Sequence, residues 1–136
     1  MQIRYLLDTN IASYAIKGEF PRLRDKLAKV PISELGISVI SEAELRFGVN
    51  RKPGSTRLKQ AVDEFFLRVE ILPWDSAAAQ HYVELRGALE DARSPMANFD
   101  LMIAAQALAA GLILVTHDKV FHRIRQLKIE DWTKAA

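Results

Sequence analysis

Four acidic side chains, Asp8, Glu44, Asp100 and Asp118, stand where apolar stretches of the sequence stop or turn. Asp8 ends the run Ile3-Arg4-Tyr5-Leu6-Leu7, and Asp118 comes shortly after Leu112-Ile113-Leu114-Val115. Asp100 heads a stripe of Ile103, Ala104, Ala107 and Leu108 at helical spacing. Glu44 shares a helical face with Ile40, Phe47 and Gly48, whereas Glu42 lies about 200° away and can pair with Arg46 at i+4. Carboxylates gathered on one edge of a fold repel one another unless a cation offsets them, and an all-oxygen donor set suits Mg²⁺ or Mn²⁺ over softer metals. Because Mg²⁺ takes only one or two carboxylates directly and keeps several waters, the remaining acids would hold those waters or a second ion. Such a site lends itself to phosphodiester hydrolysis, since the metal lowers the pKa of a bound water and neutralises charge on the phosphate. Asn10 and Thr116 carry neutral groups able to orient a carboxylate or a water, although local turn bonding is the simpler account of Thr116.

Each acid also has a purely structural explanation. Asp8 and Asp118 occupy helix-capping positions, and Glu44 and Asp100 fall in first helical turns, where the dipole favours negative charge. The dipole does not explain why the charge of Asp100 sits on the inner face. Gly48 would let the face carrying Glu44 approach a sheet closely.

The elements that must position these residues follow from periodicity. Ile3 to Leu7 is a strand, and Asp8 and Thr9 supply capping side chains for the helix after it. An amphipathic helix near 21–30 carries Leu23 and Leu27, and Leu35 to Val39 is a β candidate. Ser41-Glu42-Ala43-Glu44 has the spacing of a capping box that opens a helix, which Gly48 and Pro53-Gly54 end. Thr56 to Arg68 reads as a helix, with Ala61, Phe65 and Phe66 offering either core or a dimer surface; Val69 to Leu72 reads as a strand and Ser76 to Ala92 as a long helix. After a loop at 93–97, a helix from Asn98 or Phe99 reaches Gly111 and leads into the apolar strand Leu112 to Val115. Strands alternating with helices indicate an α/β domain with a parallel sheet. Active sites of such sheets form beyond the carboxyl ends of the strands, where Asp8 and Asp118 fall.

The chain's 136 residues fit one domain, and 49% hydrophobic with 26% charged residues is a globular composition. The absence of cysteine excludes disulfides, thiolate metal sites and cysteine nucleophiles. No stretch approaches the roughly 18 apolar residues of a membrane span, and the N-terminus lacks the pattern of a signal peptide, so a cytoplasmic location is expected. A net charge of +2 does not by itself imply nucleic-acid binding. Two basic groups, Arg46, Arg51, Lys52, Arg57 and Lys59, then Lys119, His122, Arg123, Arg125 and Lys128, each read singly as a solvated face.

Together the segments "LLDTN", "ISVISEAELRFG", "FDLMIAAQALAAGLILVTHD" and "IEDW" give the chain its kinship. Over essentially its whole length it resembles the PIN-domain ribonucleases, specifically the VapC toxins of bacterial toxin-antitoxin pairs. The resemblance implies a single PIN domain over 1–136, an α/β/α sandwich with a central parallel sheet of four or five strands and helices on both faces. It implies a Mg²⁺-dependent endoribonuclease whose acidic quartet is Asp8, Glu44, Asp100 and Asp118, with Asp8 and Asp100 as principal metal ligands. It also implies a protein that is often dimeric and is inhibited by a VapB antitoxin peptide laid across the active-site groove. Some relatives cut transfer RNA and others ribosomal RNA. Ser94 to Asn98 replaces a glycine-containing loop that many relatives carry. Arg46, Arg51 and Lys52 are candidates for phosphate contact because they lie just beyond the turn of Glu44, and His117 reads as a loop histidine. Two other functions stay open: an aspartyl-phosphate phosphatase with Asp8 as nucleophile, against which Asn10 stands where a second aspartate is usual, and a binding module whose acids only cap helices.

Overall fold

Tyr5, Leu6 and Leu7 are all buried and form β1 (Tyr5–Leu7), the strand on which the rest is assembled. The computed structural model describes residues 2–135. β1 pairs in parallel with β2 (Leu35–Ser38) on one side and with β4 (Ile113–Val115) on the other. β3 (Glu70–Leu72) and β5 (Ile129–Glu130) extend the sheet to the order β3-β2-β1-β4-β5, parallel throughout. A side chain alternates face with each residue of a strand, so Leu6 and Leu114 enter one core cluster while Tyr5, Leu7 and Val115 enter another. Helices α5 (Ser76–Asp91) and α6 (Asn98–Ala110) supply Leu85, Leu89, Leu101 and Ile103 to the first. Helices α1 (Thr9–Lys17) and α2 (Pro21–Lys29) supply Ile11 and Leu23 to the second. On that same side, Val62 and Phe66 of α4 (Thr56–Phe66) pack with Ala12 and Ile37. Between the layers runs α3 (Val39–Asn50), with Ile40 against the first cluster and Leu45 and Val49 against the residues of α4.

The chain first builds outward from β1 through β2 to β3 and then returns to the other side of β1, so the connections diverge between β1 and β4. A crevice opens at such a switch point, beyond the carboxyl ends of the two strands. No helix among the described residues is long and apolar enough to cross a membrane.

Several sequence expectations are corrected in detail. The helix expected to open at Ser41 starts at Val39, capped by Ser38, whose Oγ accepts the Ile40 N–H at 3.0 Å. Thr9 is the first residue of α1 and not a cap; Asp8 alone caps that helix. A Cβ on Gly48 would meet nothing within 4 Å, so no close approach depends on it, whereas one on Gly36 would lie 3.0 Å from both Ile3 Cγ2 and Leu72 Cδ1. Phe47 is 65% exposed, so the face it shares with Glu44 is inward only in part. Phe66 is buried and Phe65 packs beside it in the core, which accounts for the apolar residues of α4. The fifth strand has two residues, too few to leave a period in the sequence.

If this placement of the core is right, Leu6→Ala, at a fully buried position, lowers stability by about 2–5 kcal/mol in urea unfolding. Leu67→Ala, at a position 86% exposed, changes it by less than about 0.5 kcal/mol.

Candidate active site

The backbone brings Asp8 to the mouth of the crevice and then buries it. Its N–H donates to the Val115 carbonyl at 3.0 Å, which continues the β1–β4 ladder by one residue and sets Asp8 beside Thr116. Only 4% exposed, the Asp8 carboxylate accepts the Ile11 N–H on Oδ1 at 2.7 Å and the Thr116 hydroxyl on Oδ2 at 2.5 Å. The same Thr116 oxygen accepts the Asp118 N–H at 3.0 Å, so one buried hydroxyl sets the position of two acids. Asp118 is exposed and its Oδ1 accepts the Val120 N–H at 2.9 Å, capping a short 3₁₀ turn. Asp8 and Asp118 are thus helix caps, and their placement also faces them across the crevice.

Glu44 and Asp100 arrive from helices. The Thr9 hydroxyl donates to Glu44 Oε1 at 2.7 Å, and Thr9 Oγ1 lies 2.8 Å from Ser41 Oγ. With its one proton on Glu44, Thr9 must receive the proton of Ser41, which is fully buried. Thr9 and Ser41 are the positioning residues that sequence reading missed, having assigned both to capping. Asp100 sits half-buried in the first turn of α6, a helix that must start at this edge because β4, which follows it, begins at the opposite one.

Burial, the largest influence, pushes the Asp8 carboxyl up to about 6; hydrogen bonds from Thr116 and Ile11 oppose it, while the charges of Asp100 and Asp118 add to it. Asp100 is also raised, first by burial and then by the charges of Asp118 and Glu44. Asp100 therefore lies within reach of the charge of each of the other three acids, and Asp8 within reach of Asp118. None of them forms a salt bridge with a cationic side chain among the described residues. Hard oxygen donors with uncompensated charge fit Mg²⁺ or Mn²⁺. Among the described residues, no three acids or histidines form a ready-made metal cage.

The remaining candidates divide. Asn10 is exposed on α1 and lines, with Thr9, Glu44 and Lys52, a groove of about 190 Å³ beside the acids. Arg51 and Lys52 are exposed where α3 ends. The Arg46 guanidinium is held by Glu42 at 3.0 Å, by Asp63 at 2.8 Å and over the Phe66 ring at 4.9 Å, so it ties α3 to α4. His117 Nδ1 lies 2.8 Å from Asp131 Oδ2 and 3.0 Å from Thr133 Oγ1, with the ring packed on Phe20 and Tyr14. The Ser94 to Asn98 segment is anchored where Arg123 Nη1 donates to the Pro95 carbonyl at 2.8 Å.

The sequence pattern that defines the PIN domain matches residues 5–127. Ribonuclease VapC2 of Rickettsia felis is 36% identical over 132 residues, 96% of this chain and 98% of its own length. A tRNA(fMet)-specific endonuclease VapC of Shigella flexneri is 32% identical over 132 residues, covering 96% of this chain and 99% of its own. The chain belongs to the PIN-domain family, in its VapC branch. The PIN fold agrees with that of DNA-bound VapBC from Salmonella typhimurium at a TM-score of 0.90 and 32% identity, over 96% of this chain and 99% of that one. VapBC-1 from nontypeable Haemophilus influenzae gives a TM-score of 0.87 at 32% identity, over 97% and 100%. In this PIN domain the sheet order, and with it the switch point that gathers the four acids, is the arrangement described above.

The raised pKa of Asp8 has a consequence for stability. The native protein binds this proton more tightly than the unfolded chain does, so metal-free stability falls as pH rises from about 4 through 6, by on the order of 3 kcal/mol. In EDTA, Asp8→Asn is therefore expected to melt at a higher temperature than the unaltered protein at about pH 7.5. The difference should shrink towards zero near pH 4, as scanning calorimetry across that range would register.

Proposed function

We propose that this chain is a Mg²⁺-dependent endoribonuclease and the toxin of a VapBC-type toxin-antitoxin pair, cutting a structured RNA such as transfer RNA. The observation that carries the reading is the buried Asp8 at the end of the central strand, whose ionised form is opposed by burial and by two neighbouring acids. A carboxylate set of this kind favours a divalent cation, and a cation beside a basic surface favours a phosphodiester. The relatives named ribonuclease or endonuclease VapC support the same chemistry. The VapBC complexes among the similar structures support a VapB-type antitoxin as partner, and a homodimer acting in the cytoplasm is part of the same proposal.

In this mechanism Asp8 and Asp100 would hold the ion, and Glu44 and Asp118 would orient water and phosphate. Once bound, Mg²⁺ supplies Lewis acidity that makes water a better nucleophile at neutral pH and offsets charge on the phosphate. Thr116 keeps Asp8 in a fixed rotamer and spaces Asp118 from it. Thr9 fixes Glu44 Oε1, which leaves Oε2 without a protein hydrogen-bond partner among the described residues. Lys52, which lines the groove, and Arg51 beside it in the chain offer phosphate contacts on one flank of the scissile bond.

The purified protein should cleave transfer RNA with Mg²⁺ or Mn²⁺ and stop in EDTA. Asp8→Ala or Asp100→Ala, with circular dichroism unchanged, should reduce cleavage at least about 100-fold. Metal-independent cleavage that survives in both variants would refute the mechanism, and a phosphoryl group trapped on Asp8 would point to a phosphatase. The two glutamates of α3 should also part company. Glu44→Gln should depress cleavage strongly, while Glu42→Gln, which loosens an exposed pair with Arg46, should cost only about 0.3–0.5 kcal/mol of stability and leave the rate intact.

A further inference from the structure

A second surface rich in cations, separate from the groove of Lys52, lies along α2 and the C-terminal segment. Arg22, Lys26 and Lys29 are exposed at i, i+4 and i+7 of α2, and with Lys134 they border a groove of about 650 Å³ over Glu130 to Trp132. None of these four cations is in an ion pair among the described residues. The same groove holds the acids Glu130 and Asp131, which keep their charge while fixed in place: Glu130 Oε1 accepts the Trp132 Nε1–H at 2.8 Å, and Asp131 is bonded to His117 at 2.8 Å and to the Thr133 hydroxyl at 2.6 Å. Asp25 lies 3.9 Å from Arg24. The Lys26 ammonium stands over the Trp132 ring at 5.5 Å. The groove lining as a whole carries four cations against three acids, and the excess lies on α2, where Arg22, Arg24, Lys26 and Lys29 stand against Asp25 alone.

The groove is also fixed relative to the candidate active site. Asp131, at its base, holds His117, whose chain neighbours are Thr116 and Asp118. We infer that this groove is a second RNA-binding surface, along which Arg22, Lys26, Lys29 and Lys134 carry the phosphates of the strand that passes beyond Asp118. The proposal rests on the ribonuclease reading and extends it by naming where the body of a structured RNA lies. One cation per helical turn, on long flexible stems, suits a regularly repeating backbone of single negative charges and reads no sequence. An acidic protein segment would want apolar anchors between the charges; the apolar residues of α2, Leu23 and Leu27, pack inward against the core.

The test compares two pairs of substitutions that remove equal charge. Lys26→Ala/Lys29→Ala alters the groove, while Arg68→Ala/Lys128→Ala removes exposed cations just ahead of β3 and β5, at the opposite edge of the sheet. Binding is measured in EDTA, so that it does not depend on the metal or on cleavage, using bulk transfer RNA and a short oligouridylate. The groove pair should weaken transfer RNA binding about ten-fold and make the log–log salt dependence shallower by roughly 1 to 2 units. The opposite-edge pair should stay within about two-fold, and the oligouridylate, too short to reach α2 from the acids, should bind all three proteins alike. Equal losses from the two pairs, an unchanged affinity in the groove pair, or no transfer RNA binding by the unaltered chain would each overturn the proposal. Retained RNA binding with weakened binding of polyglutamate would overturn it in favour of an acidic peptide. If the unaltered protein fails to cut RNA with Mg²⁺ while the groove pair still loses binding selectively, the surface stands and the nuclease reading falls.

Discussion

The structure turns on one hydrogen bond, from the Thr116 hydroxyl to the buried carboxylate of Asp8. It exists only because β1 and β4 run parallel with Leu7 opposite Val115, so that the residue after each strand meets the other. A slip of one residue would turn Asp8 towards the opposite face of the sheet and leave Thr116 without it. The two core clusters that grip β1 and β4 from either side hold that register, which makes the packing of Leu6, Leu7, Leu114 and Val115 a condition of the site's geometry.

That geometry opposes stability. A carboxylate placed out of water, near two others, is strained as an anion, and two hydrogen bonds only partly offset this. The polar network around it, Thr116 for Asp8 and Asp118, Ser41 and Thr9 for Glu44, fixes the acids without neutralising them. Such an arrangement works against the fold's stability and fits the proposed cation, and exposed cations stand at the end of α3 and along α2. Arg46 shows the contrast: placed close to the groove, it is spent on Glu42, Asp63 and Phe66 and serves the joint between α3 and α4.

Much of this was legible from sequence because the relevant signals are local. The apolar run into Asp8, the inward stripe below Asp100 and the apolar strand before Thr116 each follow from a period that a few residues define. Thr9 and Ser41 were not, because a hydroxyl that caps a turn and one bonded across helices look the same in sequence; Thr116 was named as able to orient a carboxylate, with turn bonding as the simpler account, and it does both. The start of α3 was misplaced for a similar reason: Ser38 and Ser41 are both competent caps, and only the end of β2 decides for Ser38. Gly48 suggested a close approach that the structure lacks, while Gly36, in the sheet, has the crowded surroundings. His117 and the terminal Asp131-Trp132 were separate features until the fold joined them.

The central proposal is that the four acids, of which Asp8 alone is buried, are poised for a cation, with Asp8 still partly protonated near pH 6 when none is bound. Calorimetric titration of Mg²⁺ into the metal-free protein near pH 6, repeated in buffers of different ionisation enthalpy, reads this directly. The account predicts release of about half a proton or more per ion bound, with affinity rising as pH climbs through 6 and the release fading by about pH 8. Binding whose affinity is independent of pH and displaces no proton would contradict it.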